Sequence, residues 1–186
     1  MTLDLARHRI VVTGGSGFLG QAVCAGLRER GCVDLHVPER GDYDLLDSQA
    51  VERLFHDLRP EIVFHLAAEV GGIGANQRAP GRFLYANLQM GINLIEASRQ
   101  HGVEKFVQVG TVCAYPKFTP VPFRETDLWN GYPEETNAPY GIAKKALVKI
   151  GSSSDNVTEI LSGLKAGDVI VTEGVNTISE GMKLNF

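Results

Sequence analysis

The sequence predicts an α/β protein: a truncated Rossmann-type doubly wound parallel sheet, followed by a short β-rich C-terminal segment. Three observations favour this fold. Short apolar runs alternate with amphipathic helical patterns, a glycine-rich turn joins the first run to the first helix, and the composition changes near residue 148. Strands that alternate with helices form βαβ units, and these build a parallel sheet covered by helices.

The individual elements follow from the hydrophobic pattern. Apolar residues three and four positions apart predict helices, and short apolar runs predict buried strands. Asp47 and Ser48 are a helix start signal, and Pro80 and Pro139 suit a first helical turn. The predicted strands are 8–13, 33–37, 61–68 and 104–110, and the predicted helices are 21–31, 47–58, 80–100 and 139–147, with loops over 69–79 and 111–138.

Composition narrows the class of protein. The 186 residues are 44% hydrophobic and 22% charged, as in ordinary globular proteins. A net charge of -4 argues against a nucleic acid or an anionic membrane as the main partner. The start of the chain lacks the apolar core of a secretory signal, so we expect a cytoplasmic protein. Three widely spaced cysteines predict reduced thiols, and the five histidines show no metal-ligand spacing, so no metal is expected.

The composition changes near Val148. Every arginine, histidine, proline and cysteine of the chain lies before this residue. The remainder has strand-like pieces separated by glycine-containing turns, whereas a βα pattern would continue the preceding helix and return to a fifth strand. We therefore expect two parts: a dinucleotide-binding domain over 1–147, and a β-rich tail over 148–186.

A glycine-rich turn follows the first predicted strand. Gly15, Gly17 and Gly20 form a G-x-G-x-x-G pattern, and Gly14 precedes it. Such a turn lets the backbone approach a pyrophosphate at the N-terminus of the next helix. Because the strand and the helix are both in place, we expect nucleotide binding here. The alternative is a merely tight turn.

The end of the second predicted strand bears on the choice of cofactor. In dinucleotide-binding folds an acidic residue there favours NAD and an arginine favours NADP. The chain has Arg40, which favours NADP, directly after Glu39, which favours NAD. We lean to NADP, with a solvated surface charge as the other interpretation of Arg40.

Tyr140 and Lys144 are four residues apart on one predicted helix face. A neighbouring ammonium stabilises a phenolate, so Tyr140 could protonate a carbonyl oxygen. Thr111, just past the fourth strand, is a candidate second donor to that oxygen. Cys113 is either an acid/base that removes a proton from a substrate carbon or a small buried apolar residue. For the Tyr140 and Lys144 pair, the alternative is a surface tyrosine packed on a lysine stem.

These stretches carry a resemblance. TGGSGFLG (13–20), HLAAEVGGIGAN (65–76), GTVCAYPKFTPVPFRETDLWNG (110–131) and ETNAPYGIAKKAL (135–147) resemble the extended short-chain dehydrogenases/reductases, and among them the GDP-L-fucose synthase family. The resemblance covers about residues 5–147. From Val148 the chain instead resembles the C-terminal part of periplasmic adaptor (membrane fusion) proteins of efflux pumps. This resemblance favours a different origin for 148–186 and therefore a chimera. The alternative is a divergent natural C-terminus that folds as a small β-hairpin.

The first resemblance implies an enzyme that epimerises GDP-4-keto-6-deoxy-D-mannose at two carbons and reduces it with NADPH to GDP-L-fucose. It also implies a homodimer paired through 80–100 and 139–147. The family's second epimerisation residue is a histidine after the Tyr/Lys helix, and this chain has no histidine beyond His101. The implied catalytic residues are Tyr140, Lys144, Thr111 and Cys113; the implied cofactor-binding residues are Gly14, Gly17, Phe18, Leu19, Gly20, Arg40, Asp47, Leu66, Ala67, Ala68, Asn87 and Lys144.

Two other functions remain open from the sequence. A non-catalytic nucleotide-binding module would keep the glycine turn and carry a vestigial Tyr140 and Lys144 pair. A structural fragment of an efflux adaptor would make the tail dominant, although the chain lacks the export signal and helical hairpins expected of such a protein. Turnover of a keto sugar nucleotide distinguishes an enzyme from both.

Overall fold

The computed structural model describes residues 4–151, 172 and 173. Three short 3-10 turns also occur, at Leu5–Arg7, Val112–Ala114 and Glu125–Asp127. The strands are β1 (Ile10–Thr13), β2 (Leu35–His36), β3 (Ile62–His65), β4 (Lys105–Gln108), β5 (Gly110–Thr111) and β6 (Thr172–Glu173). The helices are α1 (Phe18–Glu29), α2 (Ser48–Leu58), α3 (Ile73–Arg78), α4 (Pro80–Gln100) and α5 (Ala138–Gly151).

The described chain divides into two compact units. The first contains residues 4–68 and 89–108, and the second contains 69–88, 109–151 and 172–173. Helix α4 begins in the second unit and ends in the first. The candidate site residues are therefore distributed over both units.

The first unit contains a four-stranded parallel sheet in the order β2-β1-β3-β4. Thr13 at the end of β1 is in register with His65 at the end of β3. The chain leaves β1 toward β2 and then crosses back to β3 on the other side. This reversal of strand order is the switch point at which Rossmann-type folds bind ligands, outside the carboxyl ends of the strands.

The core explains why these runs form central strands. All four residues of β1 and of β3 are buried, as in parallel strands covered on both faces. Ile10, Val12 and Ile62 pack with Cys24 and Leu27 of α1. Helix α2 buries one apolar face, formed by Ala50, Val51, Leu54 and Phe55. The predicted Rossmann-type α/β fold is confirmed.

The predicted boundaries differ in four places. Helix α5 begins at Ala138 and continues to Gly151, four residues beyond its predicted end. The strands are shorter than predicted. Strand β3 ends at His65, after which the N–H groups of Leu66 and Ala67 both donate to Thr13. Helix α1 begins earlier than predicted, at Phe18 directly after its N-cap Gly17. Helix α3 lies in the predicted glycine-rich loop, and its six residues are too few to show a periodic pattern. The bounds of α2 and α4 agree with the prediction within one residue.

In the second unit β5 pairs in parallel with β6, with Gly110 opposite Thr172 and Thr111 opposite Glu173. Helix α5 packs against β5 and against the turn at Val112–Ala114. Most of the predicted β-rich tail over 148–186 lies outside the described residues. Its different origin and its resemblance to efflux adaptors therefore stay predictions, and the chimera with them.

Candidate functional site

The glycine turn after β1 packs backbone directly against backbone. Gly14 has φ +71°, and a Cβ there would lie 2.7 Å from the Ala67 nitrogen. A Cβ at Gly20 would overlap the Gly14 carbonyl oxygen and lie 2.5 Å from the Gly15 Cα. Side chains at positions 14 and 20 would therefore force the turn open, which explains glycine at both.

This turn leaves the N-terminus of α1 accessible. Gly17 is the N-cap and makes no side-chain hydrogen bond to the helix, and Phe18 is fully exposed at the first helical position. Leu19 is half-buried behind it. The first N–H groups of a helix lack intrahelical partners and attract anions. The turn therefore has the compact backbone and open donors that a pyrophosphate requires.

The segment that follows β3 lies beside this turn. The Leu66 N–H donates to the Thr13 carbonyl at 3.1 Å, and the Ala67 N–H donates to Thr13 Oγ1 at 3.4 Å. The buried His65 ring pairs its Nδ1 with the same Oγ1 at 2.8 Å. These contacts hold Leu66 and Ala67 next to Gly14, and Ala68 follows them in the chain. Their role in cofactor binding stays a prediction.

Arg40 and Asp47, two residues of the first unit that were predicted to bind the cofactor, contact neighbouring residues of the protein. Arg40 is exposed and its guanidinium lies 3.5 Å from the Asp44 carboxylate. Asp47 is the N-cap of α2, and its carboxylate accepts the Gln49 N–H at 2.9 Å. The role seen for Asp47 is thus to begin α2, whereas Arg40 keeps an exposed guanidinium after β2.

Asn87 is buried in α4 and pairs with the backbone. Its Oδ1 accepts the Glu69 N–H at 3.0 Å, and its Nδ2 donates to the carbonyls of Glu69 at 2.9 Å and Phe83 at 2.8 Å. The Glu69 carboxylate also makes a two-pronged ion pair with Arg82, at 2.7 and 2.8 Å. Asn87 therefore shapes the loop after Ala68 by fixing its backbone, which the sequence motif did not reveal.

The predicted catalytic residues come together in the second unit. Thr111 ends β5 and Cys113 lies in the following 3-10 turn, where Thr111 Oγ1 accepts the Cys113 N–H at 3.2 Å. Tyr140 and Lys144 lie one turn apart on α5, with the Lys144 Nζ 5.9 Å from the centroid of the Tyr140 ring. Thr111, Tyr140 and Lys144 are buried, and Cys113 is half-buried.

Gly141, which the sequence analysis did not single out, joins these two elements. A Cβ at this position would overlap the Cys113 carbonyl oxygen and lie 2.9 Å from its carbonyl carbon. Helix α5 therefore lies directly against the turn that carries Cys113. The available signal was a glycine inside a helical pattern, because such a glycine usually has a packing reason.

A second feature that sequence reasoning missed is the pair of contacts that Lys145 makes with Gly131 and Trp129. The Lys145 side chain is buried, donates to the Gly131 carbonyl at 3.0 Å, and lies 4.6 Å from the centroid of the Trp129 ring. Burial lowers the pKa of Lys145 from its usual value. The ammonium ties the loop at 129–131 to α5, one residue beyond Lys144.

The cysteines differ in environment. Cys24 and Cys32 are buried, and burial raises the pKa of both thiols. None of the three cysteines is in a disulfide, and Cys113 is half-buried. Among the described residues, no group of three or more His, Cys, Asp or Glu side chains is arranged to hold a metal ion. No described helix is both long and apolar enough to cross a membrane.

Comparison with known proteins places the chain in a family. The model of the NAD dependent epimerase/dehydratase family matches residues 10–157. The chain belongs to the NAD dependent epimerase/dehydratase family. Within this family it is 39% identical to GDP-L-fucose synthase of Escherichia coli strain K12, over 80% of the chain and 46% of that enzyme. It is 41% identical to GDP-L-fucose synthase of Sinorhizobium fredii, over 76% of the chain and 45% of that enzyme.

Solved structures of epimerase/dehydratase relatives agree. A GDP-mannoheptose C4 reductase from Campylobacter jejuni with NADP bound superposes with a TM-score of 0.75 at 32% identity, covering 80% of this chain and 47% of that one. A GDP-L-fucose synthetase from Naegleria fowleri superposes with a TM-score of 0.73 at 31% identity, covering 81% of this chain and 45% of that one. The chain spans about half the length of the curated relatives it matches. The predicted resemblance of 5–147 is confirmed at the level of the family.

Proposed function

We propose that this chain carries the cofactor-binding half of an NADP-dependent sugar-nucleotide epimerase/reductase of the GDP-L-fucose synthase type. Its substrate class is a GDP-linked 4-keto sugar, specifically GDP-4-keto-6-deoxy-D-mannose, and its product is GDP-L-fucose. The observation that carries the proposal is the grouping of Thr111, Cys113, Tyr140 and Lys144 on one turn and the helix packed against it. The names of the relatives support the substrate class.

The cofactor is assigned to the turn after β1. Gly14, Gly17 and Gly20 leave the space that a pyrophosphate needs, and the open N-terminus of α1 supplies the donors. Leu66–Ala68 line the same end of the sheet. The exposed Arg40 guanidinium supports NADP over NAD, as does the NADP bound to the Campylobacter jejuni relative. When bound, NADPH supplies the hydride for the reduction.

The chain's own residues then handle protons. Tyr140 donates its phenolic proton to the keto oxygen, and the nearby Lys144 ammonium stabilises the phenolate that remains. Thr111 donates its hydroxyl hydrogen to the same substrate oxygen. As a thiolate, Cys113 takes a proton from a carbon next to the carbonyl and leaves an enolate. That carbon inverts when a proton returns to it from the opposite face, and the Cys113 thiol then gives up its proton to solvent. Burial of Thr111, Tyr140 and Lys144 excludes water from these donors.

A second candidate is a non-catalytic dinucleotide-binding module, because the glycine turn after β1 and the open N-terminus of α1 would serve such a module without the Tyr140 and Lys144 pair. Such a module would bind NADPH through the glycine turn and would not convert a sugar nucleotide. The proposal also includes a homodimer, which sedimentation of the purified chain tests directly.

The first test is a thermal-shift titration with NADPH and, in parallel, NADH. A ligand that binds only the folded state raises the melting midpoint with concentration. We expect a larger shift with NADPH than with NADH. A cooperative melt that neither cofactor shifts would contradict the assignment of the glycine turn.

The second test is NADPH oxidation in the presence of GDP-4-keto-6-deoxy-D-mannose. Tyr140→Phe should abolish turnover and keep the NADPH-induced thermal shift, while Tyr132→Phe, at an exposed position of the same unit, should keep both. NADPH binding without turnover in the unchanged chain would favour the binding module instead.

A further inference from the structure

Thr111 has a contact that its proposed catalytic role does not use. It is the N-cap of the 3-10 turn at Val112–Ala114, and its Oγ1 accepts the Cys113 N–H at 3.2 Å. A threonine hydroxyl has one hydrogen to donate and two lone pairs to accept with. The cap uses one lone pair, so the hydroxyl hydrogen remains available for a substrate oxygen.

We propose that Thr111 is a positioning residue for Cys113 as well as a donor to the substrate, so that one hydroxyl couples the epimerisation base to the reduction site. The catalytic half of this inference rests on the proposed function. Its structural half, the control of the Cys113 turn by the Thr111 hydroxyl, does not.

The turn needs such support because it is short. Three-residue 3-10 turns have weak hydrogen-bond geometry of their own. Besides the cap, the Tyr115 N–H donates to the Val112 carbonyl at 3.1 Å and closes the far end of the turn. On the remaining side, Gly141 of α5 lies against the Cys113 carbonyl group. Among these three contacts, the cap is the one that holds the Cys113 N–H.

The consequence concerns where the thiol points. Cys113 is the half-buried cysteine, whereas Cys24 and Cys32 are buried and their thiol pKa values are raised. Loss of an N-cap of this kind shifts the local opening equilibrium by a factor of about 2 to 30. A Cys113 thiol on an opened turn would no longer hold one direction toward a substrate carbon.

The test compares two substitutions that differ in the acceptor atom. Thr111→Val keeps the branched shape and removes the oxygen, while Thr111→Ser keeps the oxygen. In the full chain we expect Thr111→Val to speed hydrogen exchange of the Cys113 amide by about 2- to 30-fold, and Thr111→Ser to match the unchanged chain. Alkylation of Cys113 by iodoacetamide should accelerate in the valine variant alone, with Cys24 and Cys32 as unreactive internal references.

A matched control is Thr119→Val, which removes a hydroxyl bonded to the Pro116 carbonyl in the same unit. It should leave exchange of the Cys113 amide unchanged. The proposal is overturned if Thr111→Val leaves both the exchange and the alkylation rate unchanged. If that variant does not fold, the unchanged chain decides: a Cys113 amide that exchanges at the rate of an unstructured peptide overturns the proposal.

The catalytic half has its own readout. With the keto sugar nucleotide in D₂O, deuterium enters the substrate carbon once Cys113 has removed its proton, and NADPH oxidation reports reduction. Thr111→Val should lower both rates, and Thr111→Ser should restore both. If the unchanged chain shows neither reaction, the proposed function fails, while the amide-exchange result still decides whether Thr111 controls the turn.

Discussion

The Asn87 carboxamide pairs with the backbone of Glu69 as a second strand would. Its oxygen accepts the Glu69 N–H and its nitrogen donates to the Glu69 carbonyl, at 3.0 and 2.9 Å. A side chain on α4 thereby satisfies both backbone groups of a residue in the loop that follows Ala68. The Asn87 side chain is buried and the Glu69 backbone is half-buried, so losing these bonds leaves polar groups with limited access to water.

Replacing Asn87 with alanine should lower the free energy of unfolding by about 2–4 kcal/mol, because three hydrogen bonds are lost and the half-buried Glu69 backbone loses two partners. Urea denaturation measures this change. Gln100→Ala, an exposed amide on the same helix, should change it by less than about 0.5 kcal/mol. Equal effects from the two substitutions would mean that the pairing with Glu69 does not stabilise the fold.

Gly20→Ala should remove the NADPH-induced thermal shift. The new methyl group would overlap the Gly14 carbonyl oxygen and push the turn away from α1. Gly81→Ala is the control, because no atom lies within 4 Å of a Cβ there and the residue is in the first turn of α4. That variant should keep the thermal shift and gain up to about 1 kcal/mol of stability from helix propensity. An unchanged NADPH response in Gly20→Ala would refute the glycine-turn assignment.

Lys145→Met should move the fluorescence emission of Trp129 to longer wavelength. Trp129 is the single tryptophan of the chain, and the Lys145 ammonium holds its loop through the Gly131 carbonyl and the indole ring. Methionine keeps most of the length and loses the charge. The same substitution at Lys117, an exposed lysine of this unit, should leave the emission unchanged. Identical spectra for the unchanged chain and both variants would show that the Lys145 contacts do not order the loop at 129–131.

Acid should weaken one surface ion pair on α4. Hydrogen bonds from Arg99 and Gln100 lower the pKa of Glu96 to about 2, from an ordinary 4.5. Since the pKa is lower in the folded state, the stabilisation is present above about pH 4.5 and is lost as the pH falls toward 2. We therefore expect the stability difference between the unchanged chain and Glu96→Gln to shrink over this window. High salt should reduce the difference at neutral pH, and a difference independent of pH would exclude the ion pair as its cause.

Much of the fold and of the candidate site could be predicted from the sequence, because the signals involved are local. Apolar runs located β1 and β3, and the Asp47 start signal located α2, since hydrophobic period and capping act over a few residues. The spacing of the glycines and of Tyr140 and Lys144 also predicted which residues would share a turn or a helix face. The short helix α3 was missed because six residues carry too little periodicity.

The sequence by itself determined the Rossmann-type order of strands and helices, and it placed candidate site residues directly after the strands. Only the tertiary structure decided which distant residues are in contact. Asn87 pairs with the Glu69 backbone, Gly141 packs against Cys113, and the Lys145 ammonium lies over the Trp129 ring. The physical reason is that periodicity and capping are read along the chain, whereas hydrogen bonds and close backbone contacts between distant residues exist only after the elements have packed.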